Sequence, residues 1–486
     1  MYSTFGSLNT ALTALHTMQK SIQTSSHNVA NANTPGYSRQ KAVLITGQPY
    51  AVPANNRYNT FGQVGTGVNT EQIQRFRSGF LDSQIRTETE SYKGWETRRD
   101  MLKQIETIMP EPSSTGINSR MSAFWTSWHN LATTPDAAAT RGHVAETAED
   151  LTASLRDTYR QLSDLQTELD DRVALQVDTI NDLAKRIGAL NHTIRDVQGV
   201  GQQPNDLRDE RDKLLTELSG IINVDAHETA SGTMMVSLGG KLLVMDHVVT
   251  EISAEADPAN GSLNRIVWAD TGSTVEVAGI PLEGGLSSLA AERLGGELGG
   301  TLIARDLIIP DKMADLDDIA NAFISEVNTL HQAGFGLDGS TGWNFLSGTG
   351  ARDIALHDDI KANTNRIATA ATAGGVPGDG SVALSISRLE EATVLNGGTT
   401  SIKDFYRASI TALGQERQQA DVMTENQELL VQHLETQQTE VAGVSLDEET
   451  VNLLQFQRTY QAAARVMTTV DEMLEKVING MGLVGR

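Results

Sequence analysis

Cysteine is absent from this chain of 486 residues. This absence excludes disulfide bonds and thiol chemistry, and it suits a protein that leaves the reducing cytoplasm. The sequence also lacks any apolar run approaching the roughly 18 residues that span a membrane. We therefore expect neither a disulfide framework nor a membrane-embedded segment.

Basic residues are scarce relative to acidic ones. The chain has 38 Lys and Arg against 62 Asp and Glu, which gives a formal net charge of −24. Nucleic acids and anionic membranes both require basic patches, so we expect neither as a partner. Free monomers of this charge repel one another, and assembly would therefore have to be driven by apolar faces.

A cleaved secretory signal is also missing from the N-terminus. The first basic residue is Lys20, and no uninterrupted apolar core follows it. Signal peptides need a basic start followed by such a core. If the protein is exported, we expect another route.

No pattern of residues indicates an active site. Gly334–Gly339 satisfies GxGxxG, but a dinucleotide site needs that motif after a strand, and here it follows a predicted helix. The ten histidines are scattered, and neither a P-loop nor a GxSxG elbow is present. The sequence therefore predicts a protein that is not an enzyme, with no catalytic, cofactor-binding or metal-binding residues.

Apolar residues recur at helical spacing at both ends of the chain. The C-terminal series alternates in steps of three and four, which is the rhythm of a coiled-coil seam. The N-terminal series is looser, and each stripe needs a partner to cover it. We predict that the two termini pair with each other or with other copies of the chain. The predicted interface residues are Leu8, Leu12, Leu15, Met18, Ile22 and Val29 at one end, and Leu453, Phe456, Tyr460, Met467, Val470, Leu474, Val477 and Met481 at the other.

Short polar signals border both stripes. Ser445 and Glu448 form a capping-box pattern before the C-terminal helix. After the N-terminal helix, Asn28–Gln40 is rich in asparagine and contains a Pro-Gly turn. We predict that this turn sets the angle between helix and linker, through Asn31, Asn33, Pro35, Gly36 and Tyr37.

The order of the patterns predicts a mainly α fold with a β insertion. Residues 1–40 and 442–486 would form a terminal coiled-coil domain from both chain ends. Residues 41–220 and 300–441 would form an elongated helical bundle with linker segments, including one very long helix from Asp136 to Gly199. Residues 221–299 would form a small all-β outer domain, with strands at Met234–Val236, Lys241–Met245, Val248–Ile252, Asn264–Trp268 and Val275–Val277.

Two further expectations concern the second half of the chain. We expect a helix to begin at Pro310 or Asp311 and to end with Gly334 as a C′ residue. Residues 334–400 are rich in glycine, and we expect them to be loosely structured before a long helix from Ile402 to Val441.

The Asn28–Gln40 segment closely resembles the N-terminal signature of the bacterial flagellar rod, hook and hook-associated proteins. Three C-terminal segments are similar to the same family: Gly443–Glu449, Tyr460–Val466 and Asp471–Leu474. Pro204–Asp212 and Gly299–Gly300 before Arg305–Asp306 also resemble it. The ending Tyr37–Gln40 is most like that of the proteins at the junction of hook and filament.

The resemblance implies a structural subunit that joins hook to filament. It implies copies of the same chain in a helical tube, with hook protein, a second hook-associated junction protein and an export chaperone as partners. It also implies an extracellular location after type III export. A hook or distal-rod protein shares the N-terminal signature, and a surface coiled-coil adhesin would share the stripes, so both readings remain alternatives.

Overall fold

The computed structural model describes residues 5–48, 65–277, 280–282 and 295–480. Within them, helices account for most of the fold. They are α1 (Gly6–Ala30), α2 (Gly79–Ile108), α3 (Ile117–Thr133), α4 (Ala138–Gly199), α5 (Asn205–Ile221), α6 (Gly296–Ile303), α7 (Ile309–Ala333), α8 (Asp358–Ala362), α9 (Ser381–Ser387), α10 (Ile402–Ala442) and α11 (Leu446–Gly480). The predicted mainly α class is confirmed.

The strands are short and form several small antiparallel sheets. They are β1 (Gln40–Thr46), β2 (Val68–Arg75), β3 (Asp225–Glu228), β4 (Met234–Leu238), β5 (Lys241–Met245), β6 (Val248–Val249), β7 (Ile252–Ala256), β8 (Asn264–Trp268), β9 (Glu276–Val277), β10 (Ile280–Pro281), β11 (Phe335–Gly336), β12 (Leu346–Ser347), β13 (Ala355–Leu356), β14 (Ala368–Ala370), β15 (Thr393–Leu395) and β16 (Thr400–Ser401). β1 and β2 pair as a ribbon, as expected for the linker; residues 49–64 of that linker lie outside the described residues.

The long helices pack against one another, with α3, α5 and α7 in contact with α4. α2 runs against α10, because Asp82 contacts Gln438 while Glu106 contacts Arg417. The predicted core aromatics lie where α3 meets α7: Trp125 stacks on Phe323 with ring centroids 5.1 Å apart, and both side chains are buried. This aromatic packing holds α3 against α7.

Two buried asparagines of α4 form hydrogen bonds that hold the β insertion against one face of this helix. Asn181 donates to the carbonyl of Ile252 at 2.7 Å and accepts from its N–H at 3.0 Å. Asn191 makes the same pair of bonds with Met234, both at 2.8 Å. Ile252 lies on an edge strand, and Met234 lies at the end of the central strand β4, beyond its pairing with β5, so the two amides satisfy backbone groups that the sheets leave unpaired.

The strand predictions in the insertion were partly wrong. Val248–Ile252 was expected to be one strand. The structure places Val248–Val249 in the sheet β3–β4–β5–β6 and Ile252–Ala256 in a separate hairpin with β8. Strand β3 was not expected, because its sequence Asp225–Glu228 is polar and lacks β-branched residues.

The helix predicted to begin at Pro310 or Asp311 is α7, which begins at Ile309, but it continues from α6 without a break in helical backbone. The chain remains helical through a π segment, Ala304–Ile308, which is closed by the N–H of Ile309 on the carbonyl of Ala304. The wider π turn leaves room for the proline ring against the preceding turn, so Pro310 does not break the helix.

Two expectations about the region after α7 were also wrong. Gly334 has an extended backbone, with φ −96° and ψ 175°, instead of the left-handed conformation of a C′ residue. It is glycine because a Cβ there would lie 2.9 Å from the Cβ of Ala368. Residues 334–400 are packed instead of loose: Phe345, Ile360 and Ile367 are fully buried. Their apolar residues are too widely spaced by turns to give a periodic signal.

Candidate assembly site at the terminal helices

Helices α1 and α11 pack against each other, so the two ends of the chain meet. Many of the predicted stripe residues are half-buried at this contact: Leu8, Leu15, Ile22, Leu453, Phe456, Met467, Val470 and Leu474. Four others stay exposed, namely Leu12, Val29, Tyr460 and Val477. Met481 lies outside the described residues.

The most buried face of α1 shares only Met18 with the predicted stripe. Its other residues are mostly small and hydroxyl side chains that lie against the ribbon β1–β2 and α11: Ala11, Thr17, Ser21, Thr24 and Ser25. Thr17 donates its hydroxyl to the carbonyl of Val68 at 3.1 Å. Sequence reasoning missed this face because hydroxyl residues interrupt the apolar pattern, although their small volume permits close approach of helix and ribbon.

A second apolar face on α11 is left uncovered by the residues that the structure describes. Val451, Leu454, Val466 and Met473 are each more than half exposed. At 100° per residue, Val451 and Leu454 fall on the side of the helix opposite the seam that faces α1, and Val466 and Met473 fall on the flank next to them. Large apolar side chains gathered on one face of a helix mark an interaction surface.

The turn after α1 is fixed to the ribbon by the side chain of Asn28, which is fully buried. Its amide donates to the carbonyl of Gln40 at 2.8 Å and accepts from the N–H of Gln40 at 3.0 Å. The hydroxyl of Tyr37 donates to the same amide oxygen at 2.7 Å. Burial raises the pKa of Tyr37, and nearby Asp206 raises it further, so the phenol remains a donor. Asn28 therefore sets the direction in which the chain leaves the helix.

The other predicted turn residues occupy the outside of this bend. Asn31 donates to the carbonyl of His27 at 3.0 Å and ends the helix. Asn33 and Pro35 are exposed. Gly36 has a φ of +84°, which favours glycine.

Beneath the turn, three carboxylates and two arginines form a buried charged joint. Ser38 donates its N–H and its hydroxyl to Asp209, both at 2.8 Å. Arg75 bridges Asp209 at 2.9 Å and Asp212 at 2.8 Å. Burial disfavours the charged form of Arg75, but Asp212 and Asp209 outweigh this effect and raise its pKa. Arg77 extends the joint to Asp82 on α2, also at 2.8 Å, and so completes this set of residues, which we call the polar joint.

Arg39 connects the same turn to the start of α11. It contacts Glu448 and Glu449, each at 2.9 Å. Ser445 accepts from the N–H of Glu448 at 3.4 Å, as the capping-box pattern predicts. The side chain of Glu448 forms an ion pair with Arg39. The capping pattern did not predict this contact.

Both internal segments that resemble the flagellar family contain residues that make buried polar contacts. In Pro204–Asp212, Asp209 and Asp212 belong to the polar joint, and Arg211 donates to the carbonyl of Gly232 in the insertion at 2.7 Å. Arg305 is fully buried and bridges Asp170 of α4 at 2.7 Å. A buried charge needs such partners, which explains why these segments are polar.

In the part of the chain that the structure describes, no group of three or more His, Asp or Glu side chains is arranged to hold a metal ion. None of the described helices is long and apolar enough to cross a membrane.

Comparison with known proteins gives three family matches along the chain. The model of the flagellar hook-associated protein FlgK helical domain matches residues 102–346. The model of the flagella basal body rod protein matches residues 8–37, and that of the flagellar basal body rod FlgEFG protein C-terminal segment matches residues 436–480. The two terminal matches cover the helices that pack together here.

Full-length relatives carry the same name. Flagellar hook-associated protein 1 of Bacillus subtilis is 32% identical over 516 aligned positions, covering 100% of both chains. The Escherichia coli protein of that name is 25% identical, covering 97% of this chain and 99% of its own. A solved structure, the flagellar hook junction protein FlgK from Burkholderia pseudomallei, has a TM-score of 0.63 at 16% identity, over 74% of this chain and all of that one. The chain therefore belongs to the family of flagellar hook-associated protein 1, FlgK, whose members are structural proteins of the bacterial flagellum.

Proposed function

We propose that this chain is a subunit of the junction between the flagellar hook and filament, and that its terminal helices are the assembly surface. The observation that carries the proposal is the uncovered apolar face of α11, with Val451, Leu454, Val466 and Met473 exposed beside a helix pair that is already formed. A folded monomer that leaves such a face open is built to bury it against another chain.

The assembly surface extends beyond that single face. Leu12, Val29, Tyr460 and Val477 are exposed along the borders of the α1–α11 pair. Each large side chain that becomes fully buried contributes roughly 1.5 to 3 kcal/mol. Neighbouring copies in a helical tube, each with a formal charge of −24, would otherwise repel one another, so apolar burial must supply the attraction.

The polar joint gives this surface a fixed orientation. Ser38, Arg75 and Arg77 belong to the segments that connect α1 to α2, and their partners Asp209 and Asp212 belong to α5 of the bundle. A buried ion cluster tolerates little displacement, because a separated partner would leave an unpaired buried charge. The joint therefore transmits the position of the bundle to the terminal pair.

The remaining architecture follows the same proposal. The α1–α11 pair would act as a coiled coil in the inner wall of the tube, the elongated bundle would form a middle layer, and residues 221–299 would be the outer β domain. We propose as partners other copies of this chain, hook protein on one side, the second hook-associated junction protein on the other, and an export chaperone. The protein would reach the extracellular flagellum through the type III apparatus, without a cleaved signal.

The test is to locate the protein in purified hook–filament preparations. Gold-labelled antibody should bind in a short zone between hook and filament. Label along the hook or below it would favour the alternative of a hook or distal-rod protein. Label on the cell surface of a strain without flagella would favour an adhesin, and either result would reject the junction role.

A further inference from the structure

Two histidines from distant parts of the chain face each other on the surface of the bundle. His192 lies on α4 and His247 lies in the turn between β5 and β6. Their ring centroids are 5.8 Å apart and their planes meet at 87°. Together with Glu251 they line one shallow hollow between α4 and the β insertion. No local sequence pattern indicates this pair, because only the fold brings the two residues together.

Each imidazole is oriented by a carboxylate on one nitrogen. Nδ1 of His192 lies 3.1 Å from Asp196, and Nδ1 of His247 lies 3.1 Å from Asp246. A carboxylate accepts a hydrogen bond, so Nδ1 carries the proton and Nε2 keeps its lone pair. Within the described ranges, neither Nε2 has a hydrogen-bond partner.

The backbone that carries these rings is held firmly. Asn191, next to His192, donates to the carbonyl of Asp246 at 2.8 Å. A Cβ at Gly188 would lie 3.4 Å from the carbonyl oxygen of His247, so the turn and the helix are in close contact. The backbone positions of the two histidines are therefore fixed relative to each other without help from a ligand.

The surrounding charges favour a cation. The carboxylates of Asp196, Asp246 and Glu251 outnumber the two basic groups nearby. Those basic groups are already paired: Lys185 contacts Glu251 at 3.0 Å, and Arg195 contacts Asp246. One oxygen of Asp246, Oδ1, is buried and has no hydrogen-bond partner among the described residues.

We propose that His192 and His247 bind one divalent transition-metal ion, of the kind that prefers imidazole, through their Nε2 atoms. Two imidazoles that share a metal at the usual bond length have ring centroids about 5 to 6 Å apart, which agrees with the observed separation. A carboxylate on Nδ1 is also the usual support of a metal-ligating histidine. Glu251 stays paired with Lys185, which lines the same hollow, so water completes the coordination, and the bound ion ties α4 to the β5–β6 turn.

The test is a zinc titration of the full chain by calorimetry at pH 7.5, with Zn²⁺ alone as the probe. We expect one site per chain that is at least tenfold weaker in His192→Asn and in His247→Asn. His143→Asn is the matched control, because His143 is also exposed on α4 and lies 3.6 Å from Glu146, but has no second histidine facing it. This variant should keep the wild-type affinity.

Pulsed electron paramagnetic resonance with Cu²⁺ gives the ligand count directly. The wild type should show two coordinated imidazoles, and each single variant one or none. Circular dichroism and melting of the metal-free variants establish that they fold. Equal affinity in all four proteins, or an equal loss in the His143 variant, would show only adventitious binding by surface histidines and would overturn the proposal.

Discussion

Ser38 and Asp209 are joined by two hydrogen bonds of 2.8 Å, although 171 residues separate them in the sequence. One residue lies directly after the turn that follows α1, and the other lies on the bundle helix α5. The terminal helices are therefore connected to the bundle by a buried contact in addition to the chain itself.

Asp209→Asn should loosen this connection. The amide can still accept from Ser38, but Arg75 and Arg77 would lose a negative charge that compensates them. Breaking a buried ion pair costs about 3 kcal/mol. Because the chain has no cysteine, spin labels can be placed specifically at Ser26→Cys on α1 and Glu210→Cys on α5. The label–label distance distribution should be narrow in the parent and broad in the Asp209 variant.

Asp206→Asn is the matched control for that experiment. Asp206 is on the same helix and accepts from Gln40, but its side chain is 62% exposed. It should leave the distance distribution narrow. Equal broadening in both variants, or in neither, would mean that the polar joint does not orient the terminal helices.

Asn28→Asp should destabilise the turn after α1. A carboxylate cannot donate to the carbonyl of Gln40, so one buried acceptor would be left unsatisfied, at a cost of about 1–3 kcal/mol. Hydrogen exchange of the β1 amides should speed up accordingly. Asn33→Asp makes the same chemical change at an exposed position and should alter stability by less than about 0.5 kcal/mol. Unchanged exchange in the Asn28 variant would contradict the assigned role of this amide.

Much of the helical architecture was predictable because long helices repeat their signal over many turns. The bounds of α4 were expected within about two residues, because its apolar period is long and ends at Gly199 and Gly201. The contacts that position the terminal pair were not predictable, since Asp209 and Arg75 lie far apart in sequence and carry no local pattern. The buried face of α1 was missed for a related reason: Ser21 and Thr24 are polar by composition but small enough to pack closely.

Glu90 gives the protein a predictable dependence on pH. Burial, and to a lesser extent Asp225 and Glu88, raises the pKa of Glu90 from 4.5 to about 7, although a hydrogen bond from Asn223 opposes the shift. The folded chain therefore binds this proton more tightly than the unfolded chain, so stability should fall as the pH rises from about 4.5 to 7. The shift corresponds to about 3 kcal/mol.

Urea denaturation of Glu90→Gln checks this prediction. The variant should be more stable than the parent at pH 8 and nearly equal to it at pH 4.5. Glu425→Gln, an exposed position on α10, should show no such pH-dependent difference. If Glu90→Gln and the parent are equally stable at both pH values, the carboxyl of Glu90 does not titrate as proposed.

The central claim is that the terminal helices assemble the junction, and Leu474→Asp tests it most directly. Leu474 is half-buried between Val470 and Val477 on α11. A carboxylate placed in this seam has no cation in register, and an unpaired charge there costs several kcal/mol. Gln461→Asp introduces the same charge at an exposed position of the same helix and serves as the control.

The measurement is antibody labelling of isolated hooks, together with the amount of filament protein in the medium. The account predicts that the bundle of the Leu474 variant melts like that of the parent and that the variant is exported, while its loosened α1–α11 pair keeps it off the hook tip and filament protein leaks out. The Gln461 variant should occupy the tip and support swimming. A Leu474 variant that occupies the tip and supports normal motility would contradict the claim that the paired terminal helices form the assembly surface.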